Sequence, residues 1–294
     1  MTDRPVKNIS ASVRQRLLNL RQAKREDYNA LLTQYAIERF LYRLSKSDLA
    51  ERFVLKGAML FRVWSGALHR PTKDLDLLGY GERSPAAVTK AVRQVIAIHV
   101  ADDGLVFDSD SVTASEIREE QEYGGIRVKL VAMLGNARIP MQIDVGFGDA
   151  ITPEAAVRPY PTLLDTDAPE LRMYPPETVV AEKLEAAVAL GMTNSRMKDY
   201  YDLLVIFRTY ELADESLARA IAATFQRRQT PLPEDVPPAL SDEFGSDETV
   251  QRLWREFLRR LQIEDAPSDF SEVVANVRHW VWPVITQAKR LVTP

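Results

Sequence analysis

The sequence has no cysteine and only three histidines, His69, His99 and His279. It can form no disulfide framework, zinc-thiolate site or thiol nucleophile. Three scattered histidines also argue against a multi-histidine metal centre. Any metal must therefore sit on carboxylates, which favours hard ions such as Mg2+ or Mn2+. Long apolar runs are missing as well. The longest, residues 179–190, is broken by charge and too short to span a bilayer. The first ten residues are polar and carry no signal-peptide core. These two absences lead us to expect a cytoplasmic chain with no membrane partner. Positive charge is not in surplus either: 38 Lys and Arg face 42 Asp and Glu, a net charge of −4. A polyanion would have to be met by a local basic patch rather than by the whole surface.

Against these absences stand 46% apolar and 27% charged residues over 294 positions, enough for one large core or two modest ones. Residues 10–47 read as helical, with Ser10 or Ser12 as a cap and then a broad apolar face. That face carries Leu31, Leu32, Tyr35, Ile37, Phe40, Leu41 and Leu44, with Arg39 and Arg43 elsewhere on the helix. Phe53-Val54-Leu55 is a short strand-like run ending at Lys56-Gly57, and residues 58–64 read as the start of a helix. Asp74-Leu75-Asp76-Leu77-Leu78 alternates polar and apolar and is bounded by Gly79 and Gly81, which predicts a strand. Ser84-Pro85 opens a helix reaching about residue 100. Residues 125–135 and 139–148 predict an antiparallel hairpin. The proline-rich residues 151–176 suggest an irregular connector, and everything after them reads as helical except an exposed loop at 230–244. The expected architecture is α+β, or mixed α/β. It has an N-terminal part over residues 1–150, a connector over 151–175 and a helical lobe over 176–294.

The chemistry is concentrated in carboxylates. Residues two apart on a strand share a face, so Asp74 and Asp76 point the same way. Their mutual repulsion is relieved by a cation between them. Such a pair alone is common on solvated edge strands. It gains meaning from what precedes it. The turn Lys56-Gly57-Ala58 lets backbone amides approach a phosphate at a helix start, and Arg62, Arg70, Thr72 and Lys73 can offer further donors and charge. Asp144, in Met141-Gln142-Ile143-Asp144-Val145, is a lone acid in an alternating strand and is costly to bury unless paired or metal-bound. It either completes a three-carboxylate metal clamp with Asp74 and Asp76 or forms a salt bridge to Arg127 or Lys129 on the facing strand. Lys183 lies on a largely apolar helix, so it either meets a phosphate or snorkels to solvent. Asp199 and Asp202 share a helix face, with Asp202 the candidate for function and Asp199 its support. Arg227-Arg228, and Arg255 with Arg259-Arg260, read as solvated helix faces or as a weak candidate for holding an RNA backbone.

Several segments together resemble the AbiEii/AbiGii family of nucleotidyltransferase-like toxins. They are Val54-Leu55-Lys56-Gly57-Ala58, Arg70-Pro71-Thr72-Lys73-Asp74-Leu75-Asp76-Leu77, Ile143-Asp144-Val145, Pro176-Glu177-Thr178-Val179-Val180-Ala181-Glu182-Lys183-Leu184 and Arg196-Met197-Lys198-Asp199-Tyr200-Tyr201-Asp202-Leu203. The resemblance covers roughly residues 50–210. It implies a DNA-polymerase-β-like nucleotidyltransferase core with a mixed sheet, followed by a helical C-terminal lobe. It also implies a toxin paired with a cognate antitoxin, an NTP substrate and a tRNA or other RNA acceptor, since members resemble enzymes that add nucleotides to tRNA 3′ ends. Some members are described as GTP-binding. By position it makes Asp74 and Asp76 metal ligands, places Lys183 on the triphosphate and makes Asp202 an essential carboxylate. Ala58 departs from the family's usual second glycine or serine, leaving the turn only its backbone amides for phosphate. A kinase-like or protein-modifying transferase on the same core, and a non-catalytic nucleotide-binding partner module, are the alternatives.

Overall fold

A computed structural model describes residues 8–24, 26–66, 69–117 and 124–292. The chain divides into two compact units: residues 1–148 with 156–173, and residues 149–155 with 174–294. The first is a seven-stranded mixed sheet with helices, the second is helical. The expected mixed α/β class is observed.

In the first unit, α1 (Ile9–Lys24) starts earlier than its serines suggest. Asn8 caps it, the side-chain oxygen accepting from the Ala11 amide at 3.0 Å. Helix α2 (Tyr28–Ser45) is capped by Asp27 and buried around most of its circumference. Arg39 and Arg43 are therefore not on a separate polar face. Both are buried against the Asp103 carboxylate, at 2.8 and 2.7 Å. Buried guanidinium groups need such a partner.

There follow β1 (Phe53–Lys56), a 3-10 turn at Gly57–Met59 running into the six-residue α3 (Leu60–Ser65), β2 (Asp74–Gly79) and α4 (Pro85–Ile96). Ser84 caps α4 as the sequence predicts. Then come β3 (Leu105–Glu116), β4 (Ile126–Leu134), β5 (Ala137–Phe147), β6 (Ala156–Pro159) and β7 (Glu170–Met173). The sheet order is β3-β4-β5-β2-β1-β7-β6. The predicted hairpin is β4–β5, and β2 runs parallel to β5 and antiparallel to β1. Three strands differ from expectation. β3 gives no apolar alternation because it is an edge strand, mostly open to solvent. The stretch read as irregular contains β6 and β7. All four residues of β6 are exposed at the other edge, where Pro159 costs no ladder bond in the sheet interior.

One sheet face presents Leu75, Leu77, Ile143 and Val145, all buried, and meets Phe40, Leu44, Val92 and Val95 of α2 and α4. Period-2 alternation then sends Asp74, Asp76 and Asp144 to the opposite face.

The second unit contains α5 (Pro176–Leu190), α6 (Met197–Thr209), α7 (Asp214–Arg227), α8 (Asp242–Ser246), α9 (Glu248–Leu261) and α10 (Phe270–Val292). Its core clusters aromatics, with the Tyr200 ring edge-on to Phe270 at 5.0 Å and the Trp254 ring tilted against it at 5.2 Å. The proline-rich loop read as exposed is partly internal. Ala239, Leu240 and Phe244 are buried, and the Tyr200 hydroxyl donates to the Ala239 carbonyl at 2.9 Å. Its few apolar residues outweigh its prolines. Among the described residues no helix is long and apolar enough to cross a membrane.

Candidate active site

Four strands bring charge into one row across the polar face. Pairing aligns Lys56 of β1 with Asp76 of β2, Asp76 with Asp144 of β5, and Asp144 with Arg127 of β4. Laterally aligned residues project to the same side, so the row reads plus, minus, minus, plus. Asp74, two residues before Asp76, begins the next row, opposite Gln142, which in turn pairs with Lys129. Asp74, Asp76 and Asp144 are all half-buried.

Asp144 is engaged on both oxygens. Arg127 donates from Nε to Oδ1 at 2.9 Å and from its terminal nitrogen to Oδ2 at 2.7 Å, a bidentate fork. Gln142 adds a bond to Oδ2 at 3.3 Å. The hydrogen bond to Asp144 and the charges of Asp144, Asp74 and Asp76 raise Arg127 above the ordinary arginine range. All three carboxylates thus act on one guanidinium. The salt bridge to Arg127 that the sequence allows is formed, and Asp144 also stands beside Asp76 in register. Gln142 was not anticipated. Its signal was available, since it stands two residues before Asp144 on the same face.

Gly57 is positioned by what lies opposite it. Its φ is +76°, and a Cβ added there would overlap the Asp76 carboxylate, lying 2.7 Å from Cγ and 2.8 Å from Cβ. The turn and the acid are as close as a residue without a side chain permits. Lys56, which precedes the turn, does not cap it with its side chain. Helix α3 has only six residues and contributes little dipole. Ala58, within the turn, is buried and brings no polar side chain, which leaves the turn its backbone amides for an anion. Of the other expected phosphate donors, Lys73 is exposed and Arg70 is half-buried. Thr72 donates to the Asp74 carbonyl at 3.4 Å. Arg62 is not available: it is buried, 4.0 Å from Glu38, which is itself buried.

Among the described residues, no three His, Cys, Asp or Glu side chains are gathered as a metal-binding group. Asp144 is adjacent in register but turned to Arg127. Asp74 and Asp76 nevertheless offer oxygen donors alone, on one face, beside the Gly57 turn. Mg2+ is commonly held by one or two carboxylates completed by water and substrate phosphate, so this donor set suits it.

Lys183 and Asp202 belong to the second unit. The Lys183 ammonium is 2.6 Å from Asp199 and 2.8 Å from Asp202, and Arg196 Nε is 2.6 Å from the other Asp199 oxygen. Lys183 therefore does not snorkel. It bridges α5 to α6 through two buried carboxylates. Burial pushes Asp199 up, but the charges of Lys183 and Arg196 outweigh it and hold it below the usual carboxylate range. Arg228 is also no free surface charge: it is half-buried and paired with Glu185 at 2.7 Å.

A family model described as "Nucleotidyl transferase AbiEii toxin, Type IV TA system" matches residues 39–276. The chain is also similar in fold to MenT4, a nucleotidyltransferase toxin from Mycobacterium tuberculosis H37Rv. That match has 18% identity and a TM-score of 0.50, covering 97% of this chain and 99% of that one. A crystal structure described as a nucleotidyltransferase candidate from H. pylori is 14% identical at a TM-score of 0.50, covering 92% of this chain and 100% of that one. No curated protein sequence matches.

Proposed function

The chain belongs to the AbiEii family of nucleotidyl transferase toxins of type IV toxin–antitoxin systems, and from that premise we propose that it transfers a nucleotidyl group from an NTP to an RNA acceptor. The 3′ end of tRNA is the acceptor we favour, with Mg2+ or Mn2+ as cofactor, a cognate antitoxin as partner and the cytoplasm as location. The observation that carries the reading is the Lys56–Asp76–Asp144–Arg127 row, with Asp74 on the same face and Gly57 pressed against Asp76.

In this reading Asp74 and Asp76 hold the cation, and the Lys56-Gly57-Ala58 turn receives the triphosphate with help from Arg70, Thr72 and Lys73. A divalent ion bound there supplies Lewis-acid charge to phosphate oxygens. The acceptor hydroxyl oxygen forms the new bond to the α-phosphorus, the bridging α–β bond breaks, and pyrophosphate leaves. The hydroxyl proton passes to Asp144, which Arg127 and Gln142 orient and which frees an oxygen by releasing one of these bonds. Asp199 and Asp202 fix the Lys183 head group within the second unit.

The test is incubation with Mg2+, total tRNA and each labelled NTP in turn. We expect metal-dependent label on RNA, lost in Asp76→Asn. Label appearing on protein instead would favour the protein-modifying alternative. No metal-dependent label from any NTP would overturn the proposal.

A further inference from the structure

We propose that the cleft on the β4–β5 side of Asp74 is the acceptor subsite, a groove for the single-stranded 3′ segment of a nucleic acid. The inference rests on the nucleotidyl-transfer reading above and extends it to the second substrate. The cleft has a volume of about 460 Å³ and begins at Asp74 and Gln142. Its cations are Lys129 and Arg138 along the strands and Lys73 at its mouth, beside Asp74 and within reach of the triphosphate side, all exposed. None of the three enters an ion pair among the described residues. Arg39, Arg43, Arg127 and Arg228 are by contrast each held by a carboxylate. In a chain of net charge −4, three such cations around one cleft make the local patch that a polyanion needs.

Strand order supplies the second argument. In β4-β5-β2-β1, the Asp74/Asp76 pair on β2 lies between the Gly57 turn on the β1 side and the cleft on the β5 side. Nucleotidyl transfer needs the attacking oxygen and the leaving phosphate on opposite sides of the reacting phosphorus. A triphosphate at the Gly57 turn leaves the other side for the acceptor. On β5 the same-face positions run Asp144, Gln142, Pro140, Arg138, each step about 7 Å along the strand. A strand whose terminal hydroxyl lies near Asp144 thus passes Lys129, which pairs with Gln142, and reaches Arg138. Between them Pro140, exposed and opposite Val131, provides an apolar contact for a sugar or base. The size suits a nucleotide or two of single strand rather than a duplex.

The experiment uses the full chain and a fluorescein-labelled single-stranded RNA, titrated across salt concentrations without NTP. It compares the parent, Lys129→Gln/Arg138→Gln, and a control, Arg83→Gln/Lys90→Gln, at exposed positions just before and on α4, which packs on the opposite sheet face. Loss of two phosphate contacts should weaken binding about tenfold and lower the salt slope by about 1.4. The control should bind as the parent does. In the transfer assay the cleft variant should raise the KM for RNA while the KM for NTP stays unchanged. An unchanged affinity and slope in the cleft variant, or an equal loss in the control, overturns the inference. The parent's own transfer activity decides the underlying reading separately, because the binding titration requires no turnover.

Discussion

Replacing Gly57 by alanine separates backbone strain from damage to the site. An alanine at φ +76° costs about 1–2 kcal/mol for the left-handed backbone. The added methyl would also lie 2.7 Å from Asp76 Cγ, where carbon atoms prefer about 3.5–4.0 Å. Either the turn or Asp76 must retreat by roughly 1 Å, and a misplacement of that size can lower a rate about 10²-fold. Gly66 supplies the internal control. Its φ is +78°, but a Cβ there meets nothing within 4 Å. Gly66→Ala should therefore lose a similar amount of stability, a Tm lower by about 2–4 °C per kcal/mol, and keep its transfer rate. Gly57→Ala should lose that stability and roughly two orders of magnitude in labelled-nucleotide transfer. Wild-type transfer by Gly57→Ala, or an equal loss of transfer in both variants, would refute the claim that Gly57 is there to make room for Asp76.

Other outcomes follow from the buried charges. Lys183→Met removes the ammonium that the buried Asp199 and Asp202 carboxylates share. It should destabilise by about 3–5 kcal/mol in urea unfolding; a variant that is inactive yet fully stable would contradict the bridging role. Because Asp199 is held below the usual carboxylate range, its contribution is present above the unfolded value and lost as pH falls through the folded one. The Glu38 carboxyl moves the other way. Burial pushes it up to about 7 from 4.5, against the Leu163 amide and Arg62. Its penalty therefore grows as pH rises from about 4.5 and is complete above about 7. Glu38→Gln should gain about 3 kcal/mol over the parent at pH 8 and nothing near pH 4. A constant difference across that window, measured by denaturation at each pH, would show that Glu38 does not titrate in this way.

Much of the site could be read along the chain because it obeys local periodicity. Asp74 and Asp76 alternate with leucines, so their shared face follows from the two-residue period of a strand. The hairpin carrying Asp144 announced itself through β-branched runs and a short turn. The edge strands β3 and β6 stayed hidden because strands open to water need no apolar alternation.

What the sequence determined alone was the set of acids, their common face and the family pattern they spell out. Tertiary structure decided which partners they meet. That Gly57 lies against Asp76, that Asp144 is gripped by Arg127, and that Lys183 is held between Asp199 and Asp202 depend on strand register and helix packing. Alternation repeats within a few residues and can be read in one pass, whereas register joins positions far apart and is set only when the whole sheet closes over its core.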